Sequence, residues 1–596
     1  MSFFLSDPYG LRWLLALIVL FLYAGRKVRA YNRLRAFKGP PLCGWTEAWH
    51  AWAILSFKSH LQYDAVCRKY GTIARVGPND LVTSSPELLA HMSGIRSKYT
   101  RTEWYYRACR HMPDRDHVFS EMDEQRHKRL RQQMGSGYSG RENPGLEESI
   151  DTHVSDLVRL IRSKYASTDA ASRPMDLAQK IQYLALDVIS DISFGKAFGD
   201  LRADDDVFGI AASADTGMII FTYKIALGLY RVLQSPLAAR LLGPRETDAT
   251  GWGRMFANGR AIVKARLALG ATQQRSDMIA SFIRHGLGED EILSETTLQM
   301  IAGSDTTAAS LRAVMLYLLT HPRVYVKLQA EIDAFVGGAG GEGGSNGAAE
   351  AARPSGVVSD ADARKLPYLQ AVIKEGMRVH PPVTNMDPKR VPDGGDTVVV
   401  DGRPVFLPGG TNISCAAWPL HLDKRIFGED AELFRPERWL LETDEKRLMS
   451  MHRVHELVFG YGKYQCLGRP IAMMEIGKTV FELMRNFDWC LAKPDMPWKE
   501  SNHAGIFIQT DIVLAEIEIK APPADVRSVF LDFQRYKEWS QGWTLTPMEP
   551  GKTPSDLKDG DQIQANMKGM TFKPVIKVKP KIDQTLSVPS VLGTFR

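Results

Sequence analysis

A cysteine in a glycine-rich segment near the end of the chain is the residue best placed to do chemistry. The segment FGYGKYQCLGR runs from Phe459 to Arg469 and holds Cys466, with glycines at 460, 462 and 468. Such glycines let the backbone approach a flat ligand, and a helix that begins after the cysteine places its positive dipole end near the sulfur. This arrangement favours a thiolate that ligates a metal; the alternative is a buried structural cysteine in a turn.

An acid and a hydroxyl stand side by side in an apolar helical stretch. Asp305 and Thr306 lie within LQMIAGSDTTAASLRAVMLYLL, directly after the small residues Ala302 and Gly303. The small residues leave room for a ligand against the helix. A carboxylate in an apolar helix is costly unless it has a task, so the pair indicates general acid–base chemistry. The alternative is a capping pair, although the helical pattern continues on both sides.

Two further segments are notable for their charged residues. Glu375 and Arg378 are three residues apart in LPYLQAVIKEGMRVHPP, so they share one helix face and can form an ion pair. Any surface helix can carry such a pair. The later segment FRPERW ends in Arg438 and Trp439.

Taken together and in their order along the chain, these four segments resemble those of the cytochrome P450 superfamily, in its filamentous-fungal, pisatin-demethylase-like branch. The resemblance covers residues 38–512. It implies a mainly α fold with small β-sheets and a thiolate-ligated haem b whose iron is bound by Cys466. It also implies a monooxygenase that oxidises an apolar secondary metabolite with O₂ and electrons from NADPH.

The resemblance also implies roles for individual residues. Thr306 would steady iron-bound oxygen, and Asp305 would relay protons to it. Glu375, Arg378 and Arg438 would form a buried charge network that, with Phe459, supports the haem loop.

The haem propionates need cationic or polar partners, and position in the family pattern indicates four. They are His127, Arg131, Arg390 and Tyr464. His127 stands where the family usually has Trp, and Tyr464 stands where it usually has Arg or His, so Tyr464 brings a hydrogen bond but no charge. A solvated basic helix face is the alternative for the first two.

Family position also predicts the residues that line a substrate pocket. They are Trp104, Tyr105, Met300, the segment 383–386, Ile506 and Phe507. Their aromatic and methionine content suits a bulky apolar substrate, although a hydrophobic core has the same composition.

The N-terminus differs from that of a soluble enzyme. Trp13 to Ala24 is an unbroken apolar run, and a cluster of Lys and Arg follows it. We therefore expect a transmembrane anchor at residues 1–25 and a basic, proline-rich linker at 26–41. The positive-inside rule then predicts a single-pass protein of the endoplasmic reticulum membrane with a cytosolic catalytic domain. A cleaved signal peptide is the alternative.

The remaining chain divides into a catalytic domain at 42–512 and a tail at 513–596. A low-complexity stretch at 337–356 predicts a flexible insertion. The tail resembles the opening of a helix-grip, polyketide-cyclase/START-like (SRPBCC) lipid-binding domain, with a strand at Ile517 and Ile519 and a helix from Val526 to Phe533. It lacks the long closing helix of that family, so we expect a small, partial α+β extension.

Composition narrows the function classes and the partners. The 596-residue chain has a net charge of +6, but its charges are mixed, which argues against a nucleic-acid partner. The six cysteines are scattered without a CxxC pair, so neither a zinc site nor a disulfide framework is indicated.

No dinucleotide-binding or flavin-binding stretch follows the haem segment, so a separate NADPH-dependent flavoprotein reductase on the same membrane is expected. Membrane lipid and a small apolar organic substrate are the other expected partners. Two alternatives stay open: a haem-dependent isomerase or dehydratase, and a non-catalytic lipid-binding protein.

Overall fold

The computed structural model describes most of the chain and divides it into two compact units. The described residues are 8–112, 115–167, 172–268, 276–338, 356–493, 498–510, 513–516, 543–547, 563–567 and 570–572. One unit comprises Met1–Ala166 and Arg173–Glu516, and the other comprises Ser167–Ser172 and Ile517–Arg596.

The first helix, α1, spans Pro8–Arg33 and so continues through most of the basic cluster that the sequence assigns to a linker. Among the described residues no helix, α1 included, has the length and hydropathy needed to cross a bilayer. The predicted transmembrane helix at 1–25 is therefore not supported. The physical reason is that the apolar run from Trp13 to Ala24 holds 12 residues and charged residues flank it, whereas a span needs roughly 20.

The helices that follow form the first part of the larger unit. They are α2 (Ala48–Leu55), α3 (Ser59–Tyr70), α4 (Pro86–Ser93), α5 (Glu103–Tyr106), α6 (Glu124–Tyr138), α7 (Leu146–Leu160), α8 (Leu177–Phe194), α9 (Asp200–Ala203), α10 (Ile210–Ala226), α11 (Tyr230–Leu233), α12 (Pro236–Leu242), α13 (Gly251–Ala268) and α14 (Met278–Arg284). A π-helical turn at Ile161–Tyr165 extends α7.

The longest helix and the helices after it complete the larger unit. They are α15 (Glu289–Thr320), α16 (Pro322–Gly338), α17 (Asp360–Ala363), α18 (Pro367–Val379), α19 (Ala417–His421), α20 (Lys424–Phe427), α21 (Arg438–Leu441), α22 (Glu445–Glu456) and α23 (Arg469–Asn486). Short 3₁₀ turns lie at Arg107–Cys109, Leu457–Phe459 and Gly462–Tyr464.

The strands of the larger unit form four small sheets. β1 (Ile73–Arg75), β2 (Asp80–Thr83), β8 (Asn412–Ala416), β5 (Asn385–Arg390) and β3 (Thr100–Arg101) form a five-stranded sheet in that order. The other three pair β6 (Asp396–Val400) with β7 (Arg403–Leu407), β10 (Lys499–His503) with β11 (Ile506–Thr510), and β4 (Met175–Asp176) with β12 (Val513–Glu516) and β9 (Trp489–Leu491). The prediction of a mainly α fold with small β-sheets is thus confirmed.

Helices α8 and α15 pack side by side in the centre of the larger unit. Nearly every side chain of α8 is buried, as is most of α15 from Ile292 onward. Asp176 begins α8 by accepting hydrogen bonds from the backbone N–H groups of Ala178 and Gln179. Gly195 ends the helix in a left-handed conformation. Burial on nearly all sides places α8 in the core, where it backs the candidate acid–hydroxyl pair.

The smaller unit contains a described three-stranded antiparallel sheet. β14 (Ile563–Met567) pairs with β13 (Trp543–Pro547) on one side and with β15 (Met570–Phe572) on the other. The predicted strand at 517–519 and the predicted helix at 526–533 lie outside the described residues, as does 339–355 of the predicted insertion.

Candidate active site

Cys466 lies in a short loop that α23 follows, as the glycine pattern predicts. The Cys466 backbone N–H donates to the Phe459 carbonyl at 2.8 Å and closes the loop. Gly460 and Gly462 have φ angles of 72° and 59°, which are left-handed and disfavour any residue with a side chain. A Cβ on Gly462 would also lie 2.2 Å from the Ser93 carbonyl oxygen of α4. The loop can therefore lie against α4 only because glycine occupies this position.

The Cys466 side chain is exposed, but to an internal cavity that it helps to line. Its depth within the protein raises the pKa of the thiol. Hydrogen bonds from the Gly468 and Arg469 backbone N–H groups and the charges of Arg131 and Arg469 lower that pKa. These groups would stabilise a thiolate, so the loop is built to hold a negatively charged sulfur once a metal provides the other partner.

The acid–hydroxyl pair lines the same cavity from α15. The Thr306 hydroxyl donates to the Ala302 carbonyl at 2.7 Å, one turn earlier. Gly303 lets α8 approach closely, because a Cβ there would lie 2.8 Å from Cγ1 of Ile189. The small residues thus have two functions: Ala302 leaves cavity space, and Gly303 also allows the two helices to pack.

Asp305 is held by a buried polar network that the sequence did not indicate. Gln182 of α8 donates to Oδ1 of Asp305 at 2.8 Å, while the Gln182 amide oxygen accepts from Arg312 at 2.8 Å. Burial raises the pKa of Asp305 to about 6, although the Gln182 hydrogen bond and the Arg312 charge lower it and Asp215 raises it further. A carboxyl group with a pKa near neutrality can both take up and release a proton at physiological pH.

Basic and aromatic side chains gather at another part of the cavity wall. Arg101 of β3 donates to Nε2 of the buried His127 at 3.0 Å and to the carbonyls of Val118 and Glu121 at 2.9 Å. Its Nε is buried without a partner. Burial and four surrounding cations lower the pKa of His127 to about 2, so His127 is neutral. The wall therefore carries excess positive charge.

Arg131 and Tyr464 also line this part of the cavity, and the buried Lys389 packs against the Tyr464 ring. Burial and the charge of Arg101 lower the pKa of Arg131. The Lys389 ammonium lies 3.4 Å from the centre of the Tyr464 ring, and the Tyr464 hydroxyl bonds Glu124. Lys389 is fully buried and is the register partner of Arg101 across β5 and β3.

The structure does not bring Arg390 to this wall. Its side chain is 51% exposed and bonds Asp393 at 3.3 Å. The neighbouring Lys389 faces inward instead, after a register shift in the pairing of β5 with β8. His127, Arg131 and Tyr464 do come together at the cavity, and Arg101 joins them.

The charge network that the resemblance implies is present and buried. The Glu375 carboxylate accepts from Arg378 at 2.7 and 2.9 Å and from Nε of Arg438 at 2.8 Å. Nε1 of Trp439 and the Arg435 backbone N–H also donate to this carboxylate, each at 2.9 Å. Arg378 and Arg438 also donate to backbone carbonyls between Phe427 and Leu433. The network therefore fixes a loop as well as a helix.

The cavity has a volume of about 1100 Å³. Of the predicted pocket residues, Tyr105, Val383, Asn385 and Ile506 line it, as does Phe459 of the haem loop. Met300 and Phe507 are buried in the core and, with Trp104 and Thr384, are not among its lining residues. The Met386 side chain lies outside the described residues.

Glu475 of α23 is a cavity residue that sequence reasoning missed. It is 3% exposed, one of its carboxyl oxygens has no hydrogen-bond partner, and burial raises its pKa to about 8. The available signal was its place nine residues after Cys466, which puts it on the first turns of the helix that follows the loop.

Comparison with known proteins agrees with this geometry. The sequence profile of the cytochrome P450 family matches residues 40–514. The chain is 40% identical over 515 residues to cytochrome P450 monooxygenase ABA1 of Pyricularia oryzae, which covers 84% of this chain and 96% of the relative. It is 35% identical to cytochrome P450 monooxygenase aba1 of Botryotinia fuckeliana, over 81% and 92% of the two chains. It is 28% identical to pisatin demethylase of Fusarium vanettenii, over 82% and 88%.

A cysteine loop and an acid–hydroxyl pair that line one cavity, together with a buried Glu–Arg network elsewhere in the unit, agree with this match over most of the chain. The chain belongs to the cytochrome P450 family of monooxygenases.

Proposed function

We propose that the protein is a haem-thiolate monooxygenase that oxidises an apolar secondary metabolite. The observation that carries the proposal is that the Cys466 thiol, supported by two backbone N–H groups, opens into the cavity that Asp305 and Thr306 also line. When bound, the haem supplies the iron chemistry that inserts one oxygen atom of O₂ into a substrate and reduces the other to water.

The residues around the cavity fit a haem. Its sulfur ligand would be Cys466, and its two carboxylates would bind the basic wall formed by Arg101, Arg131 and Tyr464, behind which the buried Lys389 adds positive charge. The unpartnered Nε of Arg101 and the low pKa of His127 both indicate that this wall lacks negative charge. The two haem carboxylates would supply this negative charge, because buried cations are stable only when paired.

The cavity side of α15 would then handle protons and water. Asp305 can exchange a proton near neutral pH, and Gln182 keeps its carboxylate in one orientation. The Thr306 hydroxyl donates its one hydrogen to the Ala302 carbonyl, so its oxygen can accept a hydrogen bond from the cavity, and rotation of the hydroxyl would let it donate one there. These residues bind and move protons; none of them needs to form a covalent bond.

Several finer expectations belong to this proposal. Electrons would come from a separate NADPH-dependent flavoprotein reductase. The endoplasmic reticulum location and the helix-grip nature of the tail stay predictions.

The test is the reduced carbon monoxide difference spectrum of the purified protein, measured with NADPH consumption in the presence of a fungal reductase. Wild type should absorb near 450 nm, as thiolate-ligated haem does, and Cys466→Ala should lose both the band and turnover. Cys490→Ser is the matched control, because Cys490 is a half-buried cysteine that does not line the cavity. Normal turnover by Cys466→Ala would overturn the proposal, and product formation without NADPH or O₂ would favour the isomerase or dehydratase alternative.

A further inference from the structure

Lys224 of α10 is a charged side chain in the cavity wall that has no counter-charge among the described residues. It lines the cavity and is half-buried, and no hydrogen bond or ion pair joins it to any described residue. Three other charged side chains at the cavity have polar partners. Arg110 binds Asp116, Arg101 binds His127, and Asp305 binds Gln182.

The surroundings of Lys224 do not compensate its charge. Burial lowers the pKa of the Lys224 ammonium, and the one group that opposes this shift is Cys109. Burial in turn raises the pKa of the Cys109 thiol to about 12, so that sulfur is neutral at physiological pH. A desolvated ammonium without an anion is unfavourable, which suggests that a ligand brings the anion.

A second polar group with an unused atom lines the same cavity. Nδ1 of His111 is buried without a hydrogen-bond partner, and the charge of Lys224 contributes to the lowered pKa of His111. The neighbouring His117 differs, because its Nε2 bonds the Cys109 carbonyl at 3.1 Å and its Nδ1 accepts from the Ser120 N–H at 3.2 Å. His111 is therefore the histidine that is free to bind a ligand.

The wall around these two groups is apolar and aromatic. The His111 ring stacks on Trp252, with centroids 5.8 Å apart, and Tyr105, Phe119 and Phe221 also line the cavity. One ammonium and one neutral imidazole match a single negative charge, whereas a phosphate would bring nearly two. An apolar cavity with a few convergent polar groups binds an apolar molecule and orients it by its polar end.

We propose that the substrate is an apolar carboxylic acid whose carboxylate binds the Lys224 ammonium and the His111 ring. This inference rests on the proposed oxygenase function, because it assigns the substrate class of the same cavity. Anchoring at Lys224 would set which carbon of the substrate is presented for oxidation.

The test compares ligands that differ only in the head group. Dodecanoate is compared with dodecan-1-ol, and retinoate with retinol, on the haem-loaded full-length chain. Binding is measured by the change in haem absorbance and independently by isothermal titration calorimetry. Wild type should prefer the acid in at least one pair. Lys224→Met should weaken acid binding by about 10- to 100-fold, the range expected for one hydrogen bond to a charged group, and alcohol binding by less than about threefold.

Two controls separate charge recognition from packing and from general charge loss. Lys224→Arg keeps the cation and should retain most of the preference for acids. Lys264→Met removes an exposed lysine on α13 and should change neither ligand class. Equal affinity of wild type for acids and alcohols, or equal weakening of both by Lys224→Met, would overturn the proposal. Failure of the oxygenase proposal would instead appear as a missing 450 nm band in wild type, while calorimetry would still report the acid preference.

Discussion

Replacing Glu375 by glutamine tests whether the buried charge network stabilises the haem-binding fold. The substitution keeps the shape of the side chain but removes its charge and turns one acceptor oxygen into a donor. Five hydrogen bonds converge on this carboxylate, from Arg378, Arg438, Trp439 and the Arg435 backbone. Arg378 and Arg438 are at most 3% exposed, so water cannot replace the carboxylate as their partner.

The expected loss of stability is about 3–5 kcal/mol, the cost of leaving buried charges without their counter-ion. That is a large fraction of the roughly 5–15 kcal/mol that holds a typical domain folded. Trp439→Phe removes one hydrogen bond to the same carboxylate and should cost about 1.5–3 kcal/mol. Glu432→Gln makes the same chemical change in a pair with Arg68, where both side chains are about half exposed, and should cost at most about 1 kcal/mol.

Urea unfolding followed by circular dichroism and by haem absorbance measures all three variants. The order of destabilisation should be Glu375→Gln, then Trp439→Phe, then Glu432→Gln, with haem released together with the loss of structure. If Glu375→Gln and Glu432→Gln unfold within about 1 kcal/mol of each other, burial does not control the strength of this network and the reasoning is refuted.

Three further predictions concern the cavity. Thr306→Ala should keep the haem but form less product per NADPH and release more peroxide; unchanged coupling would remove the proton-handling role. Glu475 has a folded-state pKa of about 8, above its unfolded value, so it stabilises wild type most at low pH and this contribution is lost as pH rises to about 8. Urea titrations should therefore show Glu475→Gln gaining stability relative to wild type by up to about 1.4 kcal/mol per pH unit between pH 5 and 8, and a difference independent of pH would contradict this. Lys389→Met should lower the affinity for haem about tenfold, measured as the haem retained per protein on dilution, whereas Arg390→Met should not. The reverse order would favour Arg390 as the haem contact.

The sequence was most informative where function depends on local spacing. The Cys466 loop, the Asp305–Thr306 pair and the Glu375–Arg378 pair each lie within a few residues along the chain, and a helical or glycine-rich pattern is enough to predict their local geometry. Gln182 and Trp439 could not be predicted this way. Gln182 acts on a partner 123 residues away along the chain and stands in no distinctive pattern. Trp439 stands in the FRPERW segment, but that segment does not indicate its partner, which lies 64 residues away.

The N-terminal helix shows the limit of a composition argument. An apolar run followed by positive charges satisfies the rule for orientation. A sufficiently long apolar stretch is a separate requirement: α1 has 26 residues, but within the described part of the chain it is not apolar enough over that length to cross a membrane. The charge pattern was visible in the sequence, but the helix continues through the charges to Arg33 and does not end before them.

The basic wall shows why a strand needs its pairing before its faces can be assigned. Lys389 and Arg390 are adjacent, so they point to opposite faces of β5, and the sequence offers no reason to prefer either. The pairing of β3 with β5 assigns the two faces, because it sets Arg101 opposite Lys389 and Thr100 opposite Arg390. Two like charges directly opposite each other destabilise a sheet, and here both are buried. The register therefore places Lys389 with Arg101 on the buried side of the sheet and leaves Arg390 exposed, and the Lys389→Met and Arg390→Met variants test this difference.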